Sequence, residues 1–239
     1  RVRDLPKQRI PDRHALSVTV PGAVRGWHDL HRRYGRLEWA AILAPAIALA
    51  ENGFAVTPIC AAEWKYFESV LKADATSSAL YRVGHTPAAG ERFRNPELAA
   101  ILRAIAAGGP DAFYKGAVAR AAARAVQGHG GVLADTDFAT HTGNFADPLS
   151  ATFRGWTVLE CPPNTHGVAV LDALKELEPQ DLDGSDPQTM VKAARAMAGG
   201  IARARETVAD PAGNTVCTVV VDRDGLAITL MTSVFKRFG

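Results

Sequence analysis

The stretch "GNTVCTVVVDRDGLAITLMTS", residues 213–233, decides how the rest of the chain is read. Two apolar runs, Thr215 to Val221 and Leu226 to Val234, flank the polar tetrapeptide "DRDG". Asp224-Gly225 suits a tight turn, because both residue types tolerate the positive φ that a two-residue hairpin needs. An antiparallel hairpin is therefore expected. Each run carries apolar residues at successive positions, so both faces of the hairpin are expected to be covered, as in strands packed between layers. The expected fold class is a layered α/β (α+β) domain. At the mouth of the first strand stands a hydroxyl, Thr215, behind the small polar pair Gly213-Asn214.

Upstream of the hairpin the chain is mostly helical. "LSVTVPGAVRGW" reads as a short alternating strand, Leu16 to Val20, stopped by Pro21-Gly22, with a helix from Trp27 to Tyr34 ended by Gly35. "LEWAAILAPAIALAENG" has apolar residues at helical spacing with Pro45 inside, which allows two short helices or one kinked helix. Another helix is expected from Ala61 to Lys72. "NPELAAILRAIAAGG" is a capped helix: Asn95 at the N-cap, Pro96 at the first position, Glu97 in the first turn and Gly108-Gly109 at the stop. "DAFYKGAVARAAARAVQGHGG" repeats that grammar. "ATFRGWTVLECPP" reads as a strand pair or a single strand, and "GVAVLDALKELE" as a helix before the polar loop "PQDLDGSDPQ". "TMVKAARAMAGGIARARETVAD" is helical with an expected break at Gly199-Gly200. So few strands do not make a sheet for this many helices, so the chain reads as incomplete.

Bulk properties narrow the function. The 239 residues are 47% hydrophobic and 22% charged, ordinary values for a globular protein. A net charge of +2, spread along the chain, gives no reason to expect nucleic acid or a membrane surface as partner. No apolar run reaches the ~18 residues of a membrane span, and the polar "RVRDLPKQRIPDRH" at the start is no signal peptide. Cys60, Cys161 and Cys217 are odd in number and far apart, which argues against a disulfide framework and a CxxC metal site. His28 and His31 stand three apart on a helix, a spacing that can hold a metal, but no third ligand lies at a suitable interval. Neither metal nor cofactor is expected.

Thr215 is the sharpest candidate for chemistry. A threonine hydroxyl is a weak nucleophile unless a base stands beside it, and one solution is the residue's own α-amine once it becomes an N-terminus. That amine titrates near ~7.7–8.0, so a useful share is neutral at physiological pH and accepts the hydroxyl proton. An internal threonine must first break the bond before it, by attack on the Asn214 carbonyl followed by ester hydrolysis. By itself, a threonine at a strand start is also simply a common strand residue.

Three blocks carry a resemblance to the γ-glutamyltranspeptidase family of N-terminal nucleophile hydrolases. "LSVTVPGAVRGWHDLHRRYGRLEWAAILAPAIALAENGFAVT", residues 16–57, is similar to the family's large-subunit signature. Residues 108–178 resemble the stretch in which an "FY-G" helix, a Gly-Gly turn and a "PP" loop follow one another. The opening stretch resembles the start of the small subunit. The resemblance implies an αββα sandwich, present here in part, with residues 1–214 as a large-subunit-like region and 215–239 as the start of a small-subunit-like region. It implies a self-processed enzyme cleaved at Asn214–Thr215 whose subunits stay paired. Thr215 would be the nucleophile, acting on γ-glutamyl amides such as glutathione or on other small amides. Ser233 falls where the family places a hydroxyl that hydrogen-bonds the nucleophile, and Thr232 is its neighbour should the register slip by one. Groups that grip the substrate and stabilise the oxyanion are implied to lie mostly before Arg1 and after Gly239. A periplasmic or extracellular location is implied as well.

The chain departs from the family pattern in places. Thr215-Val216-Cys217 stands where many members carry Thr-Thr-His, Gly225-Leu226-Ala227 replaces "GNA", and the connection from Glu178 to Thr215 is short. These bear on glutamyl specificity more than on the nucleophile. An acylase of non-glutamyl amides and a catalytically dead binding scaffold therefore stand as alternatives. In the "CPPNTHG" loop, Asn164, Thr165 and His166 cluster before Gly167, and a His-Gly pair opening a helix reads as a cap and turn rather than a catalytic base.

Overall fold

The computed structural model describes residues 10–11, 13–82, 84–163, 165–208, 214–223 and 227–235, with 207, 214–218, 227 and 229–235 described by backbone alone. The chain divides into two compact units: Arg1–Gly143 with Asn214–Gly239, and Asn144–Gly213. Ala15–Ser17 form a 3-10 turn, not a strand. The His14 ring accepts from the Leu16 amide at 3.2 Å and the Ser17 hydroxyl donates to the His14 carbonyl at 2.7 Å, so local side-chain bonds replace a ladder.

Helix α1, Ala23–Tyr34, starts earlier than expected, and the Gly35 amide closes it on His31. Helix α2, Trp39–Asn52, is one helix through Pro45. After β1, Phe54–Ala55, come α3, Pro58–Tyr66, and α4, Glu68–Lys72, in place of a single helix from Ala61 to Lys72. Thr57 caps α3 by accepting from the Cys60 amide, and Pro58 occupies its first turn, which moves the start upstream. Helix α5, Ala75–Leu80, and β2, Arg92–Phe93, follow, with β2 pairing antiparallel to β1.

Helix α6, Pro96–Gly108, begins as the sequence predicts: the Asn95 side chain accepts from the Leu98 amide at 3.0 Å, and Gly109 ends it at φ 64°. Helices α7, Asp111–Tyr114, α8, Ala117–Gly128, and α9, Asp135–Thr140, complete this part. Val24, Leu43, Ile105, Tyr114 and Phe138 from five helices form one buried cluster, with Trp27 and Trp39 packed against it.

Unit 2 opens with a hairpin, β3, Leu149–Phe153, and β4, Trp156–Glu160, so the strand pair is what forms. Its two-residue turn, Arg154-Gly155, has φ of 53° and 80°, the left-handed values that match the twist of the strands. Helix α10, Gly167–Leu177, leads through a loop to α11, Pro187–Thr207. The expected break at Gly199-Gly200 does not occur, because α11 runs unbroken through it. A Cβ at Gly200 would collide with the Ala169 carbonyl oxygen, so this glycine lets α10 and α11 approach backbone to backbone.

The chain returns to unit 1 with β5, Asn214–Val221, and β6, Ala227–Phe235, an antiparallel pair. The predicted Asp224-Gly225 turn lies outside the described residues. Val219, Val220, Val221 and Ile228 are exposed, so the expected cover on both faces is lacking at this end of the hairpin among the described residues. No described helix is long and apolar enough to cross a membrane.

Candidate active site

The site is built on the register of one hairpin. Thr215 on β5 stands directly opposite Ser233 on β6, while Thr232 is opposite Val216. The next pair outward is Asn214 with Phe235, so the ladder shifts between Asn214 and Thr215 and leaves Val234 as an extra residue on β6. A bulge of this kind bends the strand and increases its twist, and bulges recur beside active sites where a residue must be re-aimed. Two hydroxyl residues on the two strands of the hairpin thus share one rung. The peptide bond expected to break coincides with the ladder's irregularity.

A second cluster was not singled out by sequence reasoning, although its members lie in the quoted blocks. Tyr114 is fully buried at the end of α7. Its hydroxyl donates to the Pro21 carbonyl at 2.7 Å and accepts from the Arg25 amide at 3.1 Å. Arg25 is the third residue of α1, and its N–H is one of the donors a helix start leaves unpaired. Gly22 at the N-cap has no side chain to satisfy it, so Tyr114 caps α1 from a distant part of the chain. His141 stacks on the Tyr114 ring at 5.3 Å, and the Arg25 guanidinium lies 5.2 Å from its centroid. Burial pushes the Tyr114 hydroxyl above its usual pKa, which keeps it a neutral donor. "PGAVRG" and "FYKG" each show their Gly and Pro in sequence, but no local pattern reveals that they meet.

Residues 3–216 match the family model described as Gamma-glutamyltranspeptidase. The chain belongs to this family. The glutathione hydrolase-like YwrD proenzyme of Bacillus subtilis (strain 168) is 38% identical over 73% of this chain and 34% of its own length. Among solved structures, the gamma-glutamyltranspeptidase of Helicobacter pylori matches at a TM-score of 0.79 and 25% identity, covering 85% of this chain and 61% of that one. A cephalosporin acylase from Bacillus halodurans matches at a TM-score of 0.81 and 27% identity, covering 95% of this chain and 50% of that one. The chain therefore spans about a third of the curated relative. Its fold class is that of the N-terminal nucleophile hydrolases, mixed helix and strand, present in part.

Within this γ-glutamyltranspeptidase family chain the remaining candidates fill other places. His166 sits at the N-cap of α10 without a side-chain cap bond. The Thr165 hydroxyl donates to the Cys161 carbonyl at 2.9 Å, a local turn, and Asn164 lies outside the described residues. His28 and His31 both pack against the Trp39 ring, at 5.4 and 5.3 Å, and His31 also meets the Leu37 carbonyl at 2.7 Å. Among the described residues no group of three or more His, Cys, Asp or Glu is placed to hold a metal. Cys60 and Cys161 are free thiols, and the Cys217 side chain lies outside the description.

Proposed function

We propose that Thr215 is the nucleophile of a γ-glutamyltranspeptidase-like hydrolase or acyltransferase that processes itself at Asn214–Thr215. The observation that carries this reading is the pairing of Thr215 with Ser233 on one rung, at the shift beside the scissile bond. In the first step the Thr215 hydroxyl attacks the Asn214 carbonyl, the Thr215 nitrogen leaves as an amine, and water hydrolyses the ester. The new α-amine then takes the hydroxyl proton as Thr215 attacks a substrate amide. That proton passes to the departing amine, and the acyl group on Thr215 goes to water or to an acceptor amine. Ser233 holds the nucleophile in one rotamer and helps relay its proton.

The subunit boundary falls at 214/215 in this reading. Residues after the cut group with residues 1–143 in one compact unit, which supports their staying together once the bond is broken. The name of the Bacillus subtilis relative supports a proenzyme and a γ-glutamyl amide such as glutathione as substrate. A second reading, an acylase of non-glutamyl amides, is favoured by the match to the cephalosporin acylase over 95% of this chain. Intact-mass spectrometry of wild type beside Thr215→Ala tests the processing step. Wild type splits between Asn214 and Thr215 and the variant stays whole; splitting of both, or of neither in the full-length gene product, overturns the assignment. Hydrolysis of a γ-glutamyl anilide against other acyl anilides then separates the two substrate classes.

A further inference from the structure

The chain crosses between its compact units at two points. It leaves unit 1 after Gly143 and returns at Asn214, so unit 2 is an insert with both ends tethered. The second crossing lies one residue before Asn214–Thr215. We propose that hydrolysis of that bond converts unit 2 from a doubly to a singly tethered module and thereby loosens it, a conformational change built into maturation. This rests on Asn214–Thr215 being the processing bond. The step consumes one water and leaves a carboxylate on Asn214 and an amine on Thr215.

The physical reason lies in the unfolded state. An insert held at both ends can unfold only into a closed loop, whose entropy is lower than that of a chain with one free end. Cutting one tether frees the unfolded insert without changing its folded contacts, the reverse of closing a disulfide. The gain is larger for longer loops, and this one has about 70 residues. Among the described residues, the buried apolar side chains of unit 2 are Leu171, Leu177 and Val208 with alanines, while unit 1 buries Tyr114, Phe138, Ile105 and Leu71. Val208 and Ala204, the last buried residues before the cut among the described ones, pack with Ala169 of α10.

The test uses the full chain carrying Thr215→Ala, with a site-specific protease sequence inserted between Gly213 and Asn214. Hydrogen exchange read by mass spectrometry is compared before and after cutting. Amides of α10, α11 and the β3–β4 hairpin are expected to exchange roughly ten- to a thousandfold faster after the cut, with α6 and α8 unchanged. A second variant places the protease sequence between Gly143 and Asn144, and it serves alone should the first fail to fold. Loop closure is indifferent to which tether is cut, so both cuts are expected to act alike. Unchanged exchange in unit 2, an effect from one cut only, or equal loosening of α6 and α8 overturns the proposal. Because the added protease makes the cut, the result is independent of self-processing, which the wild-type mass decides separately.

Discussion

Tyr114→Phe removes one oxygen from unit 1 and keeps the ring. The His141 stack and the Arg25 guanidinium over the ring persist, while the bonds to Pro21 and Arg25 vanish. A net hydrogen bond contributes ~0.5–1.5 kcal/mol, and a buried group left unpaired costs ~1–3 kcal/mol. Pro21 is exposed, so its carbonyl regains water, whereas the amide of half-buried Arg25 loses its bond to Tyr114 at the start of α1. The loss is therefore about 2 kcal/mol, below the sum of two full penalties. For a unit of this size that lowers the melting temperature by roughly 4–8 °C. Urea unfolding followed by tryptophan fluorescence reads it, because Trp27 and Trp39 pack against the same core. Tyr114→Ala, which also deletes the ring, is expected to cost about 3–5 kcal/mol or more. A Tyr114→Phe variant within about 0.5 kcal/mol of wild type, the scatter of ordinary surface changes, would refute the remote cap.

Other expectations follow from the same geometry. Ser233→Ala should slow self-processing and acyl transfer by roughly a hundredfold, as loss of a proton-handling group does, while Thr232→Ala, one rung away, leaves both near wild type; equal effects in single-turnover assays would place the hydroxyl wrongly. Gly200→Ala should destabilise unit 2 by about 1–3 kcal/mol, since its methyl meets the Ala169 backbone. Gly199→Ala meets only the movable ends of the Arg203 and Glu176 side chains and should stabilise α11 by up to ~1 kcal/mol; thermal melts of the two variants must move in opposite directions. In the processed enzyme, kcat/KM should rise with pH as the Thr215 amine loses its proton near ~7.7–8.0 and be lost below that range; a flat profile from pH 6 to 9 would rule the amine out as base.

Much of the local structure was legible because its causes are local. Asn95 and Pro96 start α6 through bonds and φ values within four residues, and the apolar runs around Asp222 make a hairpin. The structure departs from the local pattern where local signals compete. His14 and Ser17 turn a strand-like alternation into a 3-10 turn, and Thr57-Pro58 move a helix start upstream. Thr215 stood out through its place at a strand mouth and the resemblance around it, not through any pattern of its own.

By itself, then, the sequence determined most of the helical segments without all of their bounds, the Asn95 cap, the closing hairpin and the family. These rest on periodicity, turn chemistry and motif order, all written along the chain. The strand register sets Ser233, to which the resemblance pointed, opposite Thr215, while tertiary structure alone decided that Gly200 is a contact and not a break and that Tyr114 caps α1. Each depends on which backbones approach across long stretches of chain, and that follows from packing the whole unit.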